Sequence, residues 1–155
     1  MRNEESYAPS PWEWVSEQVD LFERSKGAEG NLNEYGLPII VVTTIGAKTG
    51  AIRKTPVMRV EHEGRYALVA SLGGAPEHPK WYFNLRAHPS KVLIQDGPVR
   101  FRVTVRETDG AERALWWQRA VSAFPPYAEY QASTDRRIPL LVTTSAPLAN
   151  EQIRL

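Results

Sequence analysis

Ile39-Ile40-Val41-Val42-Thr43-Thr44-Ile45-Gly46-Ala47-Lys48-Thr49-Gly50-Ala51-Ile52-Arg53-Lys54-Thr55-Pro56-Val57-Met58-Arg59-Val60 holds the change of period on which the fold turns. It opens on an apolar, β-branched run, passes through a loop bounded by glycines, and returns to strand-like sequence. Glu63-Gly64 then gives a short hairpin signal, so 55–62 and 65–71 read as neighbouring strands. Further strands are expected at 39–44, 91–95, 99–107 and 140–144, with Asp96-Gly97 as a second hairpin signal. Six short strands joined by tight turns predict an α+β protein built on a small, mainly antiparallel barrel rather than a doubly wound parallel sheet.

The helices fall around this sheet. Trp12, Val15, Val19 and Phe22 recur at helical spacing with Glu13, Glu17, Asp20 and Glu23 on other faces, predicting an amphipathic helix over 11–26 that starts at Pro11 with Ser10 as N-cap. Residues 1–10 are expected to be disordered, and 11–155 to form a single domain. A short helix is expected over 80–87. Asp109 and Glu112 resemble a capping box before a helix over 111–124, with Ala114, Trp117, Val121 and Phe124 on its buried face. A brief helix over 127–134 precedes the last strand.

Composition excludes several functions. The 155 residues carry a formal charge of +1, too small to argue for a nucleic-acid partner. Cysteine is absent, which removes disulfides, thiolate nucleophiles and zinc–thiolate sites. His62, His78 and His88 lack a spacing that would gather a metal, so none is expected. No apolar run approaches the ~20 residues that span a bilayer, and a cytoplasmic location is the default. The acidic polar face of the first helix argues against stable membrane insertion, leaving only transient surface contact.

Charge is unevenly spread. Residues 1–34 hold eight acids against Arg2, Arg24 and Lys26, and this arm is expected to avoid an anionic ligand. From Glu34 to Glu61 there is no acid, while Lys48, Arg53, Lys54 and Arg59 all occur. Such a field suits a phosphate or carboxylate, although a solvated hairpin would look the same from this loop alone. A nucleotide P-loop fails, because Ala47 stands where glycine must precede the lysine. The second loop, Ser71-Leu72-Gly73-Gly74-Ala75-Pro76-Glu77-His78-Pro79-Lys80-Trp81, adds adjacent glycines whose backbone N–H groups can approach a ligand, and Lys80, Arg86 and Lys91 beyond them favour an anion site. Ser71 lacks the preceding glycine pattern of a nucleophile elbow, which makes a hydrolase improbable.

Three segments in this order resemble the deazaflavin-dependent nitroreductase family of actinobacteria: Thr43-Thr44-x-Gly46-x-Lys48-Thr49-Gly50-x-x-Arg53-Lys54-Thr55-Pro56; Ser71-x-Gly73-Gly74-Ala75-Pro76-x-His78-Pro79-x-Trp81-Tyr82; and Tyr127-x-x-Tyr130-Gln131 through Thr134-Asp135-Arg136-x-Ile138-Pro139. The resemblance implies a split β-barrel related to FMN-binding barrels. It also implies coenzyme F420, a deazaflavin with a phosphate and an oligoglutamate tail. Carried over by motif position, Lys48 and Arg53 meet the phosphate and tail, with Thr49, Lys54, Thr55 and Pro56 beside them. Ser71, Leu72, Gly73, Gly74, Ala75 and Pro76 border the ring and ribityl chain, and Trp81 supports that loop. Tyr127 and Tyr130 face the substrate, and either of them or Ser71 provides the proton. Ala47, Leu72 and Phe124 depart from residues frequent in the family, the first two lowering positive charge and the third removing a hydroxyl.

The expected activity is hydride transfer from reduced F420 to an electrophilic acceptor, a quinone before a nitroimidazole. An FMN-dependent reductase or oxidase on the same barrel, and a non-catalytic deazaflavin carrier, are the alternatives.

Overall fold

The computed structural model describes residues 6–145. Its strands are β1 (Ile39–Ile45), β2 (Ile52–Met58), β3 (Glu61–His62), β4 (Arg65–Val69), β5 (Val92–Asp96), β6 (Val99–Glu107) and β7 (Leu140–Ser145). The helices are α1 (Glu13–Arg24), α2 (Lys80–Ala87), α3 (Gly110–Ala123) and α4 (Pro126–Ala132). All strand pairs are antiparallel and join one sheet in the order β2-β1-β5-β6-β7-β4-β3. The sheet curls into a half-barrel, bringing β2 against β4 although they lie far apart in that order.

β1 shows how the sequence dictates this arrangement. Side chains alternate across a strand, so Ile40 and Val42 enter the barrel core with Val57, Leu68 and Ile94, while Ile39 and Val41 face α1. Both faces are covered, which is why the strand reads as an apolar run instead of an alternation. Val15, Val19 and Phe22 of α1 seal the outer face, each burial stabilising by about 1.5–3 kcal/mol. A third cluster packs Trp116 and Ala120 of α3, with Phe124 and Tyr127, on Ala67, Val69, Leu140 and Val142.

Several expected details differ. The strand predicted over 55–62 is two: β2 begins at Ile52, paired with Ile45, and the ladder breaks before β3, so the sheet has seven strands rather than six. The break bends the chain into the β3–β4 hairpin, where Glu63 (φ 53°) and Gly64 (φ 81°) supply the left-handed turn that Glu63-Gly64 promised. Trp12, not Ser10, is the N-cap of α1, and Trp12 is 60% exposed, so the buried stripe starts at Val15. Ser10 still accepts the Trp12 N–H at 3.1 Å. The capping box is not formed: Asp109 makes no side-chain cap hydrogen bond, and the Glu112 carboxylate is drawn instead into a bidentate pair with Arg106 at 2.7 and 2.9 Å. The buried face of α3 lies on Trp116 and Ala120, with Trp117 and Val121 only partly buried and Ala114 exposed. Of the segment 1–10, residues 1–5 lie outside the described residues. Beyond them the chain runs along β2: the Ile52 N–H donates to Ser6 O at 2.7 Å and the Ala8 N–H to Ile52 O at 2.8 Å.

Candidate cofactor groove

Two adjoining cavities, of about 630 and 580 Å³, share Trp14, Pro56, Leu72, Pro79 and Trp81, and together make one groove between α1, β2 and the 71–81 loop. Its ends differ chemically. One is lined by Arg53, Lys54, Thr55 and Lys80, with Glu77 as an acid among them; the other by Phe124, Tyr127 and Met58. Aromatic walls with a few placed polar groups are what a planar cofactor needs.

The loop between the ends has an unusual backbone. Ser71 is right-handed helical (φ −82°, ψ −36°), whereas Leu72 (φ 46°), Gly73 (φ 63°) and Gly74 (φ 85°) are left-handed. A right-handed residue followed by a left-handed one turns successive N–H groups towards one point. The N–H groups of Ser71, Leu72 and Gly73 find no acceptor among the described residues. Holding Leu72 in that region costs about 1–2 kcal/mol, so the turn is held by its surroundings and not chosen by its own residues.

The two glycines have different reasons. A Cβ on Gly73 would meet nothing within 4 Å, on the open side of the loop. A Cβ on Gly74 would lie 2.5 Å from Ser133 Oγ and 2.9 Å from Tyr130 O, so Gly74 serves close packing of α4 on the loop. That contact fixes the glycine turn to the helix carrying Tyr127 and Tyr130.

Cations are unequally available. Lys54 is tied to Glu23 of α1 at 2.8 Å with only 10% of its side chain exposed, and Tyr7 lies 4.7 Å from its ammonium. The acidic arm therefore does enter the basic end, against expectation, and neutralises one of its charges. Arg53 and Lys80 remain as groove-lining cations. Lys48 and Thr49 are exposed on the β1–β2 loop and do not line the groove, nor do Gly74, Ala75 and Pro76. Asn84 of α2 anchors that first loop: its Oδ1 accepts the Ala47 N–H at 2.9 Å and its Nδ2 donates to Thr44 Oγ1 at 3.3 Å.

Tyr127 is 3% exposed and lines the groove; burial, then Tyr130, pushes its hydroxyl well above the ordinary range, so it stays protonated at neutral pH. Tyr130 stands behind it, its ring 6.2 Å from that of Tyr127. Burial and the neighbouring Tyr35 hydroxyl raise its pKa. Ser71 is buried and lines the groove beside Leu72 and Gly73. Phe124 is buried and lines the aromatic wall.

Sequence reasoning did not name Trp14 and Gln18 of α1, which form one wall. Gln18 also holds the 28–36 connector through Gly30 O at 2.9 Å and Leu32 O at 3.1 Å. It missed Arg136 as well, which supports the glycine loop from behind through Ser71 O at 2.6 Å and Ala75 O at 2.8 Å. Arg136 stood inside a recognised motif, but nothing local to it points to residues 71–75.

The order of motifs agrees with one family. The model of the F420H(2)-dependent quinone reductases matches residues 14–145. The chain belongs to this family of oxidoreductases. An F420H(2)-dependent quinone reductase of Mycobacterium tuberculosis is 35% identical over 127 residues, 80% of this chain and 85% of that one. A solved F420-H2 dependent reductase is 54% identical with a TM-score of 0.65, covering 69% of this chain and 94% of that one. A domain-swapped dimer is 48% identical with a TM-score of 0.68, covering 87% and 100%. The curled antiparallel sheet agrees with the split β-barrel that the resemblance implied. Among the described residues no helix is long and apolar enough to cross a membrane, and no cluster of candidate ligands could hold a metal.

Proposed function

We propose that this protein binds coenzyme F420 in the groove and passes its hydride to an acceptor of the quinone class. The observation carrying this is the polarity of one continuous groove: cations at one end, unpaired amides in the middle, aromatic rings at the other. That gradient fits a molecule with an anionic tail and a planar ring. Arg53 and Lys80 hold the phosphate and tail, and exposed Lys48 meets a longer tail beyond them. The Ser71, Leu72 and Gly73 amides donate to carbonyl or anionic oxygens near the ring. Trp81 and Pro56 wall the ring. Bound reduced deazaflavin supplies a hydride, a two-electron transfer.

The chain's own residues do the rest. Trp14, Phe124 and Tyr127 enclose the acceptor beside the ring and exclude water, and Tyr127, Tyr130 or the Ser71 hydroxyl delivers a proton to the reduced acceptor oxygen, directly or through water. A raised tyrosine pKa keeps that proton in place at neutral pH.

The test is titration of the purified protein with F420 and, separately, FMN, followed by menadione reduction with reduced F420, NADH and NADPH as donors. Binding of F420 and turnover only with its reduced form are expected. Preference for FMN, or equal turnover with a nicotinamide donor, defeats the reading; tight F420 binding without turnover against any acceptor assigns the chain to the carrier class instead.

A further inference from the structure

Three carbonyls on the back of the glycine loop turn towards one side chain. The Arg136 guanidinium donates through Nη2 to Ser71 O at 2.6 Å, through Nε to Ala75 O at 2.8 Å, and through Nη1 to Ala70 O at 3.2 Å. In a trans peptide the C=O and the following N–H point in opposite directions. Gripping Ala70 O and Ser71 O from behind therefore aims the Ser71 and Leu72 N–H groups forward, into the groove. Lysine could not do this, because it lacks the rigid planar fork.

The same Nη1 lies 2.8 Å from His78 Nδ1. A guanidinium has no acceptor, so this hydrogen bond assigns the lone pair to Nδ1 and the proton of a neutral imidazole to Nε2. Protonation of His78 would replace the bond by two opposed donors and two like charges.

We propose that Arg136 and His78 form a positioning pair for the amide turn, in which Arg136 aims the Ser71 and Leu72 N–H groups and only neutral His78 completes the grip. The ligand aimed at is the cofactor proposed above, and in this respect alone the pair rests on that reading.

The surroundings set the direction of pH dependence. From α2, the Tyr82 ring lies 4.7 Å and the Phe83 ring 5.9 Å from the imidazole, with Arg86 nearby. From β6 comes Glu107, already accepting the Tyr82 hydroxyl at 2.6 Å. A cavity on the far side brings Asp109, Arg113 and Arg137, and Glu77 on the loop attracts Arg136. Burial, followed by Arg136, lowers the His78 pKa below its ordinary 6.5; Glu107 opposes this and Arg86 adds to it. The grip is thus complete above 6.5 and is lost as pH falls through a midpoint below it.

The experiment follows the Ser71, Leu72 and Gly73 amides of the intact, 15N-labelled, cofactor-free protein by NMR from about pH 7.5 to about 4.5, together with the His78 ring protons. The amides are expected to move with the His78 midpoint. His78→Asn, whose Oδ1 replaces the accepting nitrogen but does not titrate, should abolish that movement, and Arg136→Lys should speed exchange of the Gly74 and Ala75 amides, which donate across the turn to Ser71 O and Leu72 O, roughly 10-fold or more at neutral pH. F420 affinity should fall across the same midpoint in the wild type and not in His78→Asn. Amides that stay still while His78 titrates, or loop exchange unchanged in Arg136→Lys, overturn the proposal. Amides that move as expected in a protein that binds no F420 at any pH support the pair and sink the cofactor assignment instead.

Discussion

Gly74→Ala separates packing from backbone strain in the loop on which the groove depends. Gly73 and Gly74 both have positive φ, 63° and 85°, so alanine at either costs about 1–2 kcal/mol for the left-handed backbone. Only Gly74 also faces a wall. Its Cβ would stand 2.5 Å from Ser133 Oγ, 2.9 Å from Tyr130 O and 3.1 Å from Tyr130 Cα. Ser133 is exposed and its hydroxyl can rotate away, but the Tyr130 backbone belongs to α4 and moves only with the helix. Overpacking of this kind adds about 1–3 kcal/mol, giving a total of about 2–5 kcal/mol for Gly74→Ala against about 1–2 for Gly73→Ala. Urea unfolding of the two variants, with the denaturant slope checked for constancy, measures the difference. Because α4 carries Tyr127, Gly74→Ala should also disturb the aromatic end of the groove, read as altered near-UV circular dichroism, whereas Gly73→Ala should not. Equal destabilisation by the two variants, within about 0.5 kcal/mol, would refute the claim that Gly74 exists for helix contact.

Other expectations follow from the unequal cations and the tyrosines. Arg53→Ala should weaken F420 binding by about 1–3 kcal/mol, and exposed Lys48→Ala by about 0.2–1 kcal/mol with the stronger salt dependence; fluorescence titration at two ionic strengths decides the order. Lys54→Ala leaves Glu23 half-enclosed without its cation and should lower folding stability by about 1–3 kcal/mol, with Glu23→Gln restoring part of the loss in the double variant; thermal melts that show no coupling between the two sites would dismiss the pair. Tyr127→Phe should reduce turnover and leave the F420 dissociation constant nearly unchanged, since the ring stays and only the hydroxyl goes. With the pKa of Tyr127 raised, the wild-type rate attributable to it should hold through about pH 10, where an ordinary phenol is half ionised; a decline centred there, absent in Tyr127→Phe, would show an ordinary phenol instead.

Much of the barrel was legible because strand signals are local. The apolar run at 39–45, the Glu63-Gly64 and Asp96-Gly97 turns and the stretch 99–107 each carry their conformation in neighbouring residues, and each was read close to its observed bounds. Both glycine-bearing loops were legible as loops for the same reason, but which of their residues line the groove was not: Lys48 and Thr49 lie outside it. Caps and helix faces were less so. Glu112 looked like the partner of Asp109, but Arg106, brought alongside by β6, offers a bidentate charged contact that outweighs a cap.

By itself the sequence determined the antiparallel class, the amphipathic first helix, the absence of thiol chemistry and the motif order that belongs to the F420H(2)-dependent quinone reductases. Tertiary structure alone decided which of those residues share a surface. Glu23 and Lys54, far apart in the chain, meet because α1 docks on β2, so one cation of the basic loop is already neutralised. Arg136 reaches Ser71 because α4 folds back on the turn at Gly74. Such pairings depend on how elements pack, and packing depends on volume and on hydrogen bonds between distant residues, which no local pattern records.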